Sequence, residues 1–248
     1  MNENLGSESL GQKEVYDLKK QAREKETKRF QQKKFVKRVL LWVLVFAALG
    51  GTVFGLVKLG SSLPPGQATL LSNSVSPSDW LRGNKDAKTI LVEYGDFQCP
   101  ACGAFYPLVK QLEGEYKDKL LFVFRHFPLK QIHANADLAA RAAQAAGQQG
   151  KFWEMHDMIF ENQNVWSNQS KAQDIFVSYA QKIGLEIEHF KKDLDSQEVK
   201  TAIDVDYKSG LQSGVDATPT FFLNGKKVKP ASYEDFKNLL DKALNGGS

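Results

Sequence analysis

The chain has only two cysteines, three residues apart as Cys99-Pro100-Ala101-Cys102, where an apolar run ends and a helical pattern begins. A disulfide-stapled small fold needs several cysteines spread along the chain, and neither of these has a third to pair with. Structural zinc needs two more ligands, and His126, His133, His156 and His189 show no paired ligand spacing. No resident metal or cofactor is therefore expected, with copper(I) held by the two sulfurs alone left open. The four histidines read as surface or core-edge residues. Proline is favoured at the first position of a helix, so Cys99 falls at the N-cap, where unpaired backbone N–H groups and the helix dipole favour an anion. This environment predicts a Cys99 thiolate formed below the free value of about 8.5. Cys102 lies one turn further in and is expected to be less exposed. Two sulfurs so placed suit exchange in two steps, Cys99 forming a mixed disulfide and Cys102 resolving it.

The rest of the chain divides by composition. Val39 to Val57 is a run of 19 residues without a charge, long enough as a helix (about 28 Å) to cross a bilayer. Lys33, Lys34, Lys37 and Arg38 precede it and only Lys58 follows closely, which predicts a cytoplasmic N-terminus and an extracytoplasmic remainder. A cleavable leader ending near Gln67-Ala68 is the weaker alternative, given the 38 residues before the run and its length. Ala47, Gly51 and Gly55 repeat at a spacing that allows close helix approach, a weak signal for dimers. Four segments follow: a basic cytoplasmic tail over 1–38, a membrane anchor over 39–58, a Ser/Pro/Gly-rich flexible linker over 59–78 and a folded domain over 79–248. The tail holds eleven of the 33 Lys+Arg and six of the 29 Asp+Glu, a net +5, leaving the remainder at −1. A nucleic-acid-binding domain would carry its basic excess in the folded part, so that class is excluded.

From Asp79 the pattern is that of an α/β domain. Lys88–Gly95 and Lys119–Phe127 read as buried strands, with a helix between them placing Phe105, Leu108, Val109, Leu112 and Tyr116 on one face. Helical patterns fill about 133–213, the last with Val199, Ile203, Tyr207 and Leu211 in a row. Thr220–Leu223 and Lys226–Lys229 flank Asn224-Gly225, a strong hairpin signal. Ser232 with Asp235 resembles a capping box opening a final helix.

Three further features bear on the cysteines. Glu93 lies in an apolar strand; buried there, its carboxyl would have a raised pKa and could exchange a proton with Cys102, the alternative being an exposed Glu paired with a lysine. Thr218-Pro219 precedes a strand, and a cis bond there would turn the Thr218 backbone toward the sulfurs, free to pair with a substrate strand. Phe97, Phe127 and Pro128 could line an apolar rim, with core packing the commoner role for any one of them.

The segments VEYGDFQCPAC, QGKFWEMHDMIFENQ and GVDATPTFFLNG, in that order, resemble the DsbA-like branch of the thioredoxin superfamily, in particular its membrane-anchored bacterial members. The resemblance covers about Asp79 to Asn245. It implies a thioredoxin-like fold with an inserted helical subdomain over about 133–213, preceded by a single transmembrane helix. It also implies a thiol-disulfide oxidoreductase with Cys99 as nucleophile, Cys102 as resolving thiol, Pro219 as cis-proline and Glu93 as the acid behind the pair. Its expected substrates are cysteine-containing secreted or envelope proteins, re-oxidised through a separate, membrane-bound redox partner. A reductase or isomerase of the same fold, a copper(I) carrier and a chaperone-like binding module are the alternatives. The best-known members carry Pro-His between the cysteines where this chain has Pro100-Ala101. Without that imidazole the thiolate would rest on the helix N-terminus alone, which predicts a higher Cys99 pKa and a less oxidising pair than in a histidine-containing relative.

Overall fold

A computed structural model describes residues 70–246. The elements run β1 (Trp80–Gly83), β2 (Thr89–Gly95), α1 (Pro100–Tyr116), β3 (Leu120–His126), α2 (Ala136–Gln148), α3 (Phe152–Glu161), α4 (Gln163–Trp166), α5 (Ala172–Lys182), α6 (Ile187–Leu194), α7 (Gln197–Gln212), β4 (Thr220–Leu223), β5 (Lys226–Val228) and α8 (Tyr233–Leu244). The sheet order is β1-β3-β2-β4-β5, with β2 and β3 parallel and the other pairs antiparallel. Parallel strands need a crossover, and α1 supplies it. That connection delivers the helix N-terminus, and Cys99 with it, to the end of the central strand.

Strand β3 is buried along its length and β2 everywhere but at the half-buried Ile90, as predominantly apolar strands covered on two faces require. One face carries Leu91, Phe122 and Phe124 against α1 and the helical insertion. The other carries Val92, Tyr94, Val123 and Phe222 with Phe127. Within the insertion, α2 presents Ala136, Ala139, Ala140, Ala142, Ala143 and Ala146 to its neighbours, all buried. Side chains this small let α3, α5, α6 and α7 pack around one central helix.

The hairpin forms at Asn224-Gly225, both with positive φ (48° and 80°), as a two-residue primed turn needs. Ser232 caps α8 by accepting the Asp235 N–H (3.1 Å), while the Asp235 carboxylate accepts the Ala231 N–H (2.9 Å). On α7 the expected face breaks down. Val199 and Ile203 are buried and Tyr207 stacks on Phe127, but Leu211 is 54% exposed. Steps of four residues drift by about 40° on a helix of 3.6 residues per turn, so a row of four turns away from the core.

Two features do not follow from the sequence pattern. Strand β1 is four residues with no alternation, held by pairing with β3 and by Trp80, whose ring stacks on Phe152 at 4.2 Å. The linker expected over 59–78 is described only from residue 70, and that part is docked. Leu71 N–H donates to the Gly225 carbonyl, Ser72 N–H to Ser213 Oγ, and the carbonyls of Asn73 and Ser74 accept from Arg125. Among the described residues no helix is long and apolar enough to cross a membrane, and the run at 39–57 lies outside them.

Candidate active site

Cys99 is the N-cap of α1 with Pro100 in the first turn, and its carbonyl accepts the first helical N–H from Gly103. The Thr218–Pro219 bond is cis, and the Cys99 thiol donates to the Thr218 carbonyl at 3.3 Å. The topology thus brings together residues 119 positions apart, because β4 pairs with β2, the strand that leads into the cysteines. Both thiols are free. Cys99 retains a sliver of surface (7% exposed), whereas Cys102 is fully buried.

Their acidities diverge. The Cys99 pKa is lowered to about 5, first by the hydrogen bond from the Cys102 thiol. Burial opposes this, while Thr218 and the N–H groups of Cys102 and Ala101 add to it. A thiolate can only accept, so the group on Thr218 able to help it is the hydroxyl, which is buried and makes no hydrogen bond while Cys99 is a thiol. The helix N-terminus therefore does not act alone: its amides contribute, but the neighbouring thiol is the largest support. The Cys102 thiol is raised well above its ordinary value by burial, then by its bond to Cys99 and the charge of Glu93.

Glu93 is buried (4% exposed) on β2 between Phe124 and Phe221, and among the described residues it makes no ion pair. Burial pushes its pKa up to about 8, with further push from the Glu113 charge and partial relief from Arg82. Phe97, Phe127 and Pro128 are all buried and form core rather than rim.

Several polar neighbours of the cysteines carry no mark in the sequence. Gln163 Nε2 donates to the carbonyls of Phe97 (2.7 Å) and Cys99 (2.9 Å), tying α4 to the cysteine loop. Asp96 contacts both cysteines through its backbone. His126 and His156, expected at the surface or core edge, are buried among Phe97, Phe124 and Phe152, and burial lowers them to about 3 and about 4. A cleft of about 240 Å³ opens beside Pro219, lined by Phe105, Phe221, Val228, Pro230 and Lys227. Two larger cavities, around Arg125 and Asp206 and around Arg82 and Glu113, include neither cysteine in their walls. Among the described residues no three His, Cys, Asp or Glu side chains gather as a metal site would require.

Fold and site together define a dithiol of split acidity at the head of a helix on a thioredoxin-like α/β sheet. The thioredoxin family model matches residues 75–242, and the chain belongs to that family. Its fold is that of the DsbA-type thiol-disulfide oxidoreductases. Oxidised BdbD from Bacillus subtilis superposes with a TM-score of 0.65 at 24% identity, covering 73% of this chain and 100% of that one. Alpha-DsbA1 from Wolbachia pipientis gives 0.62 at 22% identity, covering 70% and 94%. Among curated proteins, Na(+)/H(+) antiporter NhaA 1 of Salinispora arenicola is 34% identical over 188 residues, 71% of this chain but 28% of the antiporter. The chain thus spans under a third of that relative's length.

Proposed function

We propose that this protein is a membrane-tethered thiol-disulfide oxidoreductase that forms or exchanges disulfides in extracytoplasmic proteins. The observation that carries the reading is the geometry of the pair: Cys99 at the N-cap of α1, with a sliver of surface and facing the cis Thr218–Pro219 bond, and Cys102 fully buried one turn further in. A substrate thiolate attacks Cys99 Sγ of the oxidised pair, the Cys99–Cys102 bond breaks, and Cys102 leaves as a thiolate that takes a proton from Glu93. A second substrate thiolate then attacks the substrate sulfur of the mixed disulfide. The substrate disulfide forms, Cys99 leaves as its stabilised thiolate, and two electrons remain on the dithiol. A separate disulfide or quinone-linked partner takes them up, since the chain has no third cysteine. The cleft beside Pro219 suits the substrate segment, and the Thr218 carbonyl is free to pair with it once Cys99 has lost its hydrogen.

The likeness to antiporters is read as one of the thioredoxin-type segment alone, because it covers so small a share of those proteins. The anchor over 39–57 rests on the charge-free run and the basic residues before it. Equilibrating the full-length protein with glutathione buffers tests the function and its direction. A pair more oxidising than the glutathione couple supports disulfide formation, a strongly reducing one assigns the chain to reduction, and no two-electron equilibrium overturns the reading.

A further inference from the structure

One residue of the loop between β2 and α1 touches both halves of the dithiol. The Asp96 N–H donates to Cys102 Sγ (3.4 Å), and the Asp96 carbonyl accepts the Cys99 N–H (3.1 Å). Its carboxylate is fully enclosed, so its partners must come from the protein. Gln98 N–H (2.8 Å) comes from its own loop, and Leu129 N–H (2.9 Å) and His133 Nδ1 (2.7 Å) come from the segment after β3. Where the carboxylate accepts, Nδ1 of His133 is the donor. Gln98 fastens the two loops a second time by accepting the Asn135 N–H (2.7 Å).

We propose that Asp96 and His133 form a latch that aims the Asp96 amide at Cys102 and so sets the rate at which the resolving sulfur acts. Both are positioning residues, and the proposal rests on the dithiol reading above. To resolve a mixed disulfide Cys102 must carry negative charge, which burial and the neighbouring Glu93 oppose. The Asp96 amide favours that charge, and its direction follows from the backbone that the carboxylate holds. Taking away the His133 donor leaves an enclosed carboxylate one partner short, and the loop must shift to satisfy it. Misplacing a reacting group by about 1 Å can cost up to about a hundredfold in rate; one donor lost out of three should cost about tenfold. In the reduced protein Cys99 keeps the Cys102 thiol, its largest support, together with Ala101 and Thr218.

A reaction of the reduced full-length protein with 5,5′-dithiobis(2-nitrobenzoate) separates the two sulfurs. The Cys99 thiolate displaces one thionitrobenzoate and forms a mixed disulfide, at a rate that rises with reagent concentration. Cys102 then attacks the Cys99 sulfur and displaces the second, at a rate independent of reagent; the reagent takes both electrons. His133→Leu should leave the first phase within about twofold and slow the second about tenfold, whereas His133→Asn, whose amide nitrogen reaches the Nδ1 position, should restore it. His133→Gln, polar but misplaced as a donor, should also be slow, and carries the test if His133→Leu does not fold. A second phase unchanged in His133→Leu and His133→Gln, or both phases slowed by one factor, would overturn the latch. Failure of the unaltered protein to release a second equivalent would instead overturn the dithiol reading.

Discussion

At the scale of single residues, the site works by unequal solvation of like groups. Cys99 and Cys102 have the same chemistry, yet one collects donors and the other is shut away from water. Removing the Thr218 hydroxyl in Thr218→Val should raise the Cys99 pKa by about one pH unit, the scale of one hydrogen bond to a charged group. The pH profile of Cys99 alkylation checks this, and an unmoved profile would show that the hydroxyl does not reach the thiolate. Ala101→His should lower that pKa and make the pair more oxidising by adding a cation at the same helix end. Glu93 is held neutral by burial, so its contribution to stability is present below the unfolded value of about 4.5 and is lost as pH rises through about 8. Glu93→Gln should therefore stabilise the fold above pH 8, by a few kcal/mol at most, while slowing the steps that protonate or deprotonate Cys102. Urea unfolding at pH 6 and pH 9 measures the first effect. Equal shifts at both pH values would contradict a buried, protonated Glu93.

Among the elements, close approach decides several positions that propensity would misjudge. Gly210 lies in α7, where alanine would ordinarily favour the helix by roughly 1 kcal/mol. A Cβ at this site would stand 2.6 Å from Phe127 Cδ2 and 3.0 Å from Tyr94 Cδ1, two rings of the sheet's second face. Gly210→Ala should therefore destabilise the protein by about 1–3 kcal/mol, through forced displacement of those rings. Thermal unfolding checks the sign, and a stabilised variant would mean that α7 can move away from the sheet. The missing side chain at Gly210 lets α7 lie close against Phe127, just after β3.

For the whole molecule, pH stability is set by buried groups pulling in opposite directions. His126 and His156 are lowered by burial, so their contribution is full above the unfolded value of about 6.5 and is lost as pH falls toward about 3 and about 4, respectively. Glu93 and Asp206, the latter pushed up to about 7 by burial, lose theirs as pH rises from about 4. The oxidised protein, which has no thiol to titrate, should therefore be most stable between about pH 5 and 6. In the reduced protein the lowered Cys99 adds a contribution that is fully present above its unfolded value near 9 and lost as pH falls through about 5. The stability of the reduced form relative to the oxidised form should rise from pH 5 to 9. Parallel denaturation series of the two forms measure it, and a gap independent of pH would mean that Cys99 does not ionise early in the folded chain.

Much of this was legible in the sequence, because local chemistry fixes it. Pro100 after Cys99 sets the helix start, Asn224-Gly225 the hairpin, Ser232 with Asp235 the last cap, and the predominantly apolar runs set β2 and β3. The sequence could also nominate Cys99, Cys102, Glu93 and Pro219, whose residue types and local settings carry the signal. Strand β1, the docked segment from residue 70, the histidines sealed among aromatic rings and the carboxylate of Asp96 left no such mark. Each depends on partners tens of residues away, whose distance in space is set by how β2, β3 and β4 pair. The same pairing brings Thr218 to Cys99 and buries Cys102, and so makes two identical side chains an acid and a reserve.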